Sequence, residues 1–202
     1  DRPRRALRLA WLGRLDRLDR RRRRGRAMNR LWAGWRMAYI QKAIKPKSGR
    51  KEPCLFCRQS AARPSAKSLV LRVSPLVVVM LNLYPYNVGH VLVAPRKHRA
   101  SLADLTEAET LDLGLWLARV ERALRKEYRP HGLNLGMNLG RVAGAGVLGH
   151  LHWHVVPRWN GDTNFMPVTA DTKVLPEALN RTYARVRRAL DAEAARGATR
   201  RR

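Results

Sequence analysis

The stretch His150-Leu151-His152-Trp153-His154-Val155-Val156 constrains this chain more than any other. Strict alternation of imidazole and apolar side chains has the two-residue period of a strand, which sends successive side chains to opposite faces. The three imidazoles are therefore expected on one face, with Leu151, Trp153 and Val155 entering a core. Three adjacent imidazoles are costly to hold charged, so the cluster calls for a metal or an anionic ligand. Packing alone does not explain three histidines in alternation inside an otherwise apolar strand.

The flanking sequence supplies the rest of a sheet. Leu69–Val73, Leu76–Leu81 and His90–Ala94 are apolar, β-branched stretches. Turn residues at Ser74-Pro75 and Tyr84-Pro85-Tyr86-Asn87-Val88-Gly89 separate them, as in antiparallel strands. Thr106-Glu107-Ala108-Glu109 has the form of a capping box, and Leu113, Trp116, Leu117, Val120 and Leu124 then keep one helical face apolar to about Tyr128. Pro130-His131-Gly132 breaks that helix, and His131 is expected to face solvent. Leu133–Leu139 and Leu151–Val156 read as two more strands, joined by the small-residue loop Gly140 to Gly149. A last helix is predicted from Pro176 to about Ala195, with proline at a first-turn position. The pattern predicts an α+β fold: an antiparallel sheet with one long packed helix and a C-terminal helix.

At 202 residues and 45% hydrophobic, the chain can bury one sizeable core. It has no run of eighteen apolar residues, so no membrane span is expected. The net charge of +27 is unevenly placed: residues 1–27 hold twelve Arg against three Asp, and the tail 196–202 adds four Arg. Such blocks are usually solvated and disordered. We therefore expect a basic arm over 1–27, a domain over 28–195 and a basic tail over 196–202. Within the arm, Leu7, Trp11, Leu15 and Leu18 recur at roughly helical spacing, which fits a basic amphipathic helix or a transit segment. The plainer expectation is a disordered arm, or upstream sequence that the folded protein does not need. Residues 41–53 read as an exposed linker. No nucleic-acid motif or aromatic platform accompanies the charge, so specific nucleic-acid binding is not expected. Cys54-Leu55-Phe56-Cys57 is too small a set for an extracellular disulfide framework. It fits a metal site or a reduced pair in a cytoplasmic protein, and no βαβ pattern surrounds it to suggest thioredoxin-like redox chemistry.

The alternating histidines, followed by two hydrophobic residues, resemble the signature of the histidine-triad superfamily of nucleotide hydrolases and transferases. Asn82 and the run Gly89-His90-Val91-Leu92-Val93 ending at Pro95 resemble that family's ribose-binding strand and turn. Met137-Asn138 ahead of a glycine-rich loop matches too. The resemblance covers about residues 54–160, and Leu31-Trp32 and Arg36-Met37 extend it over 28–57. With Pro157-Arg158-Trp159-Asn160-Gly161-Asp162, the chain is similar to the bacterial branch that includes diadenosine tetraphosphate phosphorylases.

By position, the resemblance implies that His152 is a nucleophile, attacking an α-phosphorus to leave a nucleotidyl-histidine. His154 would donate a hydrogen bond to a phosphate oxygen or the leaving group, and His150 is the first member of the triad. Asn82 would hold a ribose, or else simply form a turn ahead of Tyr84-Pro85, with Leu81 and Leu83 flanking the base. Gly144, Ala145 and Gly146 would offer backbone N–H groups to phosphate. Some relatives carry Gln or Ser where Gly146 stands, so Asn138 is the candidate for that polar contact. His90 would support the triad from behind, fixing the nucleophile's tautomer, or be purely structural. Cys54, Cys57, His98 and His150 match the family's structural Zn2+ ligands.

The implied reaction is cleavage of a dinucleoside polyphosphate, foremost phosphorolysis of diadenosine tetraphosphate to ATP and ADP, with inorganic phosphate as acceptor bound near the Gly140–Gly149 loop and Arg158. Hydrolysis of dinucleotides or of nucleoside phosphoramidates is the alternative. A sugar-phosphate nucleotidylyltransferase fits less well, because that branch carries Gln at the position of His154. A non-catalytic nucleotide-binding protein is the alternative of a different class, and the intact His152 argues against it. A homodimer is expected by resemblance.

Overall fold

The computed structural model describes residues 54–162 and 177–199. The basic arm 1–27, the linker 41–53 and the predicted helix start at Pro176 lie outside the described residues. Five strands run in chain order: β1 (Val70–Val73), β2 (Val77–Leu81), β3 (Val91–Pro95), β4 (Gly132–Met137) and β5 (Trp153–Arg158). They form one antiparallel sheet in the order β1-β2-β3-β5-β4. Among the described residues three α-helices accompany it: α1 (Leu55–Ser60), α2 (Glu107–Tyr128) and α3 (Leu179–Thr199). The α+β architecture is the one predicted.

Strand alternation divides the sheet into two apolar layers. Val77, Val79, Leu81, Val91, Val93 and Val155 point toward α2 and α3, where Leu113, Val120, Leu124, Val186 and Leu190 close the main core. Val70, Val78, Met80, Leu92 and Ala94 face the other way and pack around Phe56 of α1. His90 and His154 share that second face, because Leu92 pairs with His154 and Val91 with Val155.

Helix α2 begins where the capping box placed it. Thr106 accepts from the Glu109 N–H, and the Glu109 carboxylate accepts from the Thr106 N–H. Glu109 is buried and also pairs with Arg99 at 3.2 Å. These hydrogen bonds, that from the Thr106 backbone first, hold its carboxyl below the ordinary range despite burial. Gly89 shapes the turn into β3. Its φ is +75°, and a Cβ there would stand 3.2 Å from Pro157 and 3.3 Å from Tyr128, so only glycine fits both the backbone and the space.

Several elements depart from the sequence reading: β3 is shifted by one residue to Val91–Pro95, and β4 ends at Met137 rather than Leu139. Helix α1 carries no periodic signal and was not expected. Helix α3 runs to Thr199 rather than Ala195, taking in part of the predicted tail, because one glycine weakens a helix by about 1 kcal/mol without ending it. Strand β5 starts at Trp153, not Leu151. The β3 ladder ends at Val93–Trp153, and upstream of it the Leu151 N–H donates to the Arg99 carbonyl instead. His150 and His152 are therefore held outside the sheet, and only His154 is a true strand residue.

Candidate active site and metal cluster

Each imidazole has a partner that decides where its proton sits. His152 Nδ1 lies 2.8 Å from the His150 carbonyl. A carbonyl only accepts, so Nδ1 carries the hydrogen and Nε2 keeps its lone pair. The Tyr86 N–H donates to His90 Nδ1 at 3.0 Å, which puts the His90 proton on Nε2. That Nε2 lies 2.9 Å from His154 Nδ1. His154 Nδ1 is thus an acceptor, and its Nε2 carries an outward hydrogen. The site presents one bare imidazole nitrogen on His152 beside one N–H donor on His154, with ring centroids 5.1 Å apart.

Burial keeps these rings neutral. His152 is 4% exposed, and desolvation pushes its pKa down against the opposing pull of the His150 carbonyl. Desolvation, followed by the neighbouring His152, lowers His154 to about 4. Phe56 packs against both His150 and His152, at centroid distances of 5.1 and 4.7 Å. On the other side of His154 its cross-strand partner is Gly136, where added Cβ atoms would meet nothing within 4 Å. The site is closed beneath and open above.

His150 does not join the other two rings on that open face. Its Nε2–H donates to the Pro95 carbonyl at 2.8 Å, and Nδ1 turns to Cys54 Sγ at 3.2 Å and Cys57 Sγ at 3.6 Å. His98 Nδ1 lies 3.4 Å from Cys57 Sγ. The ligand atoms of Cys54, Cys57, His98 and His150 all fall within 4.8 Å of one another. Bonds of about 2.0–2.3 Å in a tetrahedron imply ligand separations of roughly 3.3–3.8 Å, so this donor set fits an ion closely. The Pro95 carbonyl orients His150 as an outer hydrogen bond orients a metal-binding imidazole. Burial, and then Cys54 alongside, pushes the Cys57 thiol up, so a cation is what the pair needs to become thiolate.

Several predicted contacts change. Leu81 is 1% exposed and belongs to the core under α2 and α3, on the face away from the histidines, so it cannot flank a base; strand parity puts Asn82 on the site side instead. Leu83 is exposed beside Asn82. Asn82 Oδ1 accepts from the Tyr84 N–H, forming the turn, while Nδ2 stands 3.4 Å from His90 Nδ1. Gly144 and Ala145 use their N–H groups on the carbonyls of Arg141 and Gly140, within the loop's own turn. Asn138 donates to the Gly144 carbonyl, tethering that loop to β4, and Gly146 lies in the same loop. His90 bonds to His154 rather than to His152. Arg158 is committed to Asp162 and Asn134. His131 is exposed and accepts from the Asn160 N–H. Sequence reasoning missed Phe56 and Tyr86. The position of Phe56 inside the Cys-x-x-Cys motif was a signal; the backbone role of Tyr86 leaves none.

Residues 63–161 match the HIT domain family model. The chain is 38% identical over 157 residues to AP-4-A phosphorylase of Mycobacterium tuberculosis, covering 77% of this chain and 80% of that protein. It is 32% identical over 115 residues to Protein hit of Bacillus subtilis, covering 56% of this chain and 77% of that one. Among solved structures, a Zn-bound histidine triad family protein from Mycobacterium smegmatis superposes with a TM-score of 0.55 at 25% identity, covering 70% of this chain and 96% of that one. This chain belongs to the HIT family. It is a nucleotide-processing enzyme of that family. Among the described residues, no helix is long and apolar enough to cross a membrane.

Neutral histidines make stability depend on pH. Above pH 6.5 the folded and unfolded chains bind the same number of protons at His154. Below it the unfolded chain takes up a proton that the folded site refuses until about pH 4, so stability falls as pH drops through that window. Melting temperature measured from pH 7 to pH 4 should decline, and less steeply in His154→Gln than in wild type. Equal slopes would contradict a neutral, half-buried His154.

Proposed function

We propose that the protein cleaves diadenosine tetraphosphate by phosphorolysis, through a nucleotide covalently held on His152. The observation that carries this reading is the His152–His150 hydrogen bond, which leaves Nε2 as the one lone pair on that ring, facing the open site. The similarity to AP-4-A phosphorylase supports the choice of substrate and acceptor.

In the first step the His152 Nε2 lone pair attacks the α-phosphorus, and the bond to the distal phosphate oxygen breaks. The His154 Nε2–H hydrogen-bonds the departing oxygen and stabilises its charge, so ATP leaves and AMP remains on His152. In the second step a phosphate oxygen attacks the same phosphorus, the P–N bond breaks, and ADP departs with the imidazole restored. A neutral His152 is required, since a protonated ring has no lone pair to offer, and burial supplies that state. We assign the ribose to Asn82, whose amide stands 3.4 Å from His90, and the acceptor phosphate to the Gly140–Gly149 loop.

Zinc is the ion we assign to the Cys54, Cys57, His98 and His150 cluster. With all four positions filled by protein, its role is structural. We further infer a cytoplasmic homodimer whose folded domain does not need residues 1–27.

Product chromatography with and without inorganic phosphate tests the reaction. ATP and ADP should dominate with phosphate present, and turnover should be slow without it. AMP plus ATP in both conditions would make the enzyme a hydrolase, and cleavage of a phosphoramidate alone would move it elsewhere in the family. Elemental analysis of protein never exposed to chelator should give about one zinc per chain, as a single four-ligand site requires. Cys57→Ser should lower both metal content and melting temperature; zinc-free native protein would remove the assignment.

A further inference from the structure

The turn between β2 and β3 exposes large rings beside the site. Leu83, Tyr84 and Tyr86 are 56%, 67% and 50% exposed. Scattered apolar residues on a surface need no explanation, but these three fall within four positions, and one is aligned with the site itself. The Tyr86 ring lies parallel to His154, with 5.6 Å between centroids and 10° between planes, and it tilts against His90 at 4.7 Å.

The rings stand on a fixed backbone. Asn82 Oδ1 holds the Tyr84 N–H, His90 Nδ1 holds the Tyr86 N–H, and Pro85 stiffens the link between them. Just beyond, Val88 and Gly89 are buried. Such a turn presents its side chains at little further entropic cost on binding.

Their position relative to the chemistry suggests what they meet. The His154 ring lies 5.1 Å from that of His152, and the Tyr86 ring lies 5.6 Å from that of His154. The other side of His152 is filled by Phe56. This rests on the reading above, in which His154 hydrogen-bonds the departing polyphosphate: the Tyr86 ring is stacked on that same imidazole, so a group at the far end of the chain is within reach of this turn. We propose that Tyr84 and Tyr86 form a stacking platform for the second nucleobase, the one carried off on the leaving group. Aromatic side chains hold bases through their π faces and tolerate any base. The platform therefore selects dinucleoside over mononucleoside polyphosphates without choosing which base sits at the far end.

The test compares kcat/KM on diadenosine tetraphosphate with kcat/KM on adenosine 5′-tetraphosphate, which has the same α-phosphorus and no second base. The wild-type ratio should favour the dinucleotide. Tyr84→Ala and Tyr86→Ala should each lower the ratio about tenfold, or about 1.4 kcal/mol, while Tyr84→Phe, which keeps the π face, should preserve it. Turnover of the mononucleotide by each variant reports that it is folded. Ratios unchanged in both alanine variants, with wild type cleaving both substrates, would overturn the platform and leave the reaction standing. A wild-type enzyme that cleaves neither tetraphosphate would overturn the reaction, and the platform with it.

Discussion

The hydrogen bond from His152 Nδ1 to the His150 carbonyl governs the chemistry of this site. It spans only two residues, and it forms where residues 150–152 lie outside the β3 ladder. The Leu151 N–H, bonded to Arg99, holds the chain in that position. The His150 ring, anchored by Pro95 and turned to the two cysteines, holds it from the other side. One residue thus joins the candidate metal cluster to His152: its side chain belongs to the first and its carbonyl orients the second. An ion bound there would hold His150, and through its carbonyl the ring of His152.

A second line of hydrogen bonds sets the opposite polarity on His154. The Tyr86 N–H, His90 and His154 form a chain in which every donor points the same way, ending in an N–H aimed at the open site. Two histidines two residues apart are given complementary roles by backbone groups on different elements. Burial adds the common condition that both stay neutral. Gly89 is what lets the Tyr86 turn close onto β3, so a glycine in the main-core contact with Pro157 and Tyr128 has a consequence on the reactive face.

Much of this was legible from the sequence. Alternation in His150–Val156 announced a strand, although His150 turns to the cysteines instead of sharing one face with His152 and His154, and Thr106–Glu109 announced the start of α2 to the residue. The zinc-type ligand set was readable because its spacing matched a family pattern, and the four ligand atoms do converge. What sequence periodicity could not supply was the start of β5, since alternation already runs through His150 and His152 before the ladder begins. Nor could it separate Leu81 from Leu83, two similar residues two positions apart, because β2 ends at Leu81 and Leu83 falls in the exposed turn beyond it. Tyr86 was invisible for a different reason: its backbone N–H, which every residue but proline has, orients His90. Glycines in the 140–149 loop suggested an anion cradle, but two of its N–H groups are consumed by the loop's own turn.

The central claim is that His152 Nε2 becomes covalently bonded to phosphorus. Acid-stable bonds are not expected of a phosphoramidate, so the enzyme should be mixed with diadenosine tetraphosphate in the absence of phosphate, quenched in base and digested for mass spectrometry. The account predicts one AMP attached to the peptide containing residues 150–154, located on His152, and no adduct in His152→Ala. An adduct on His154, or full turnover by His152→Ala without any adduct, would contradict it.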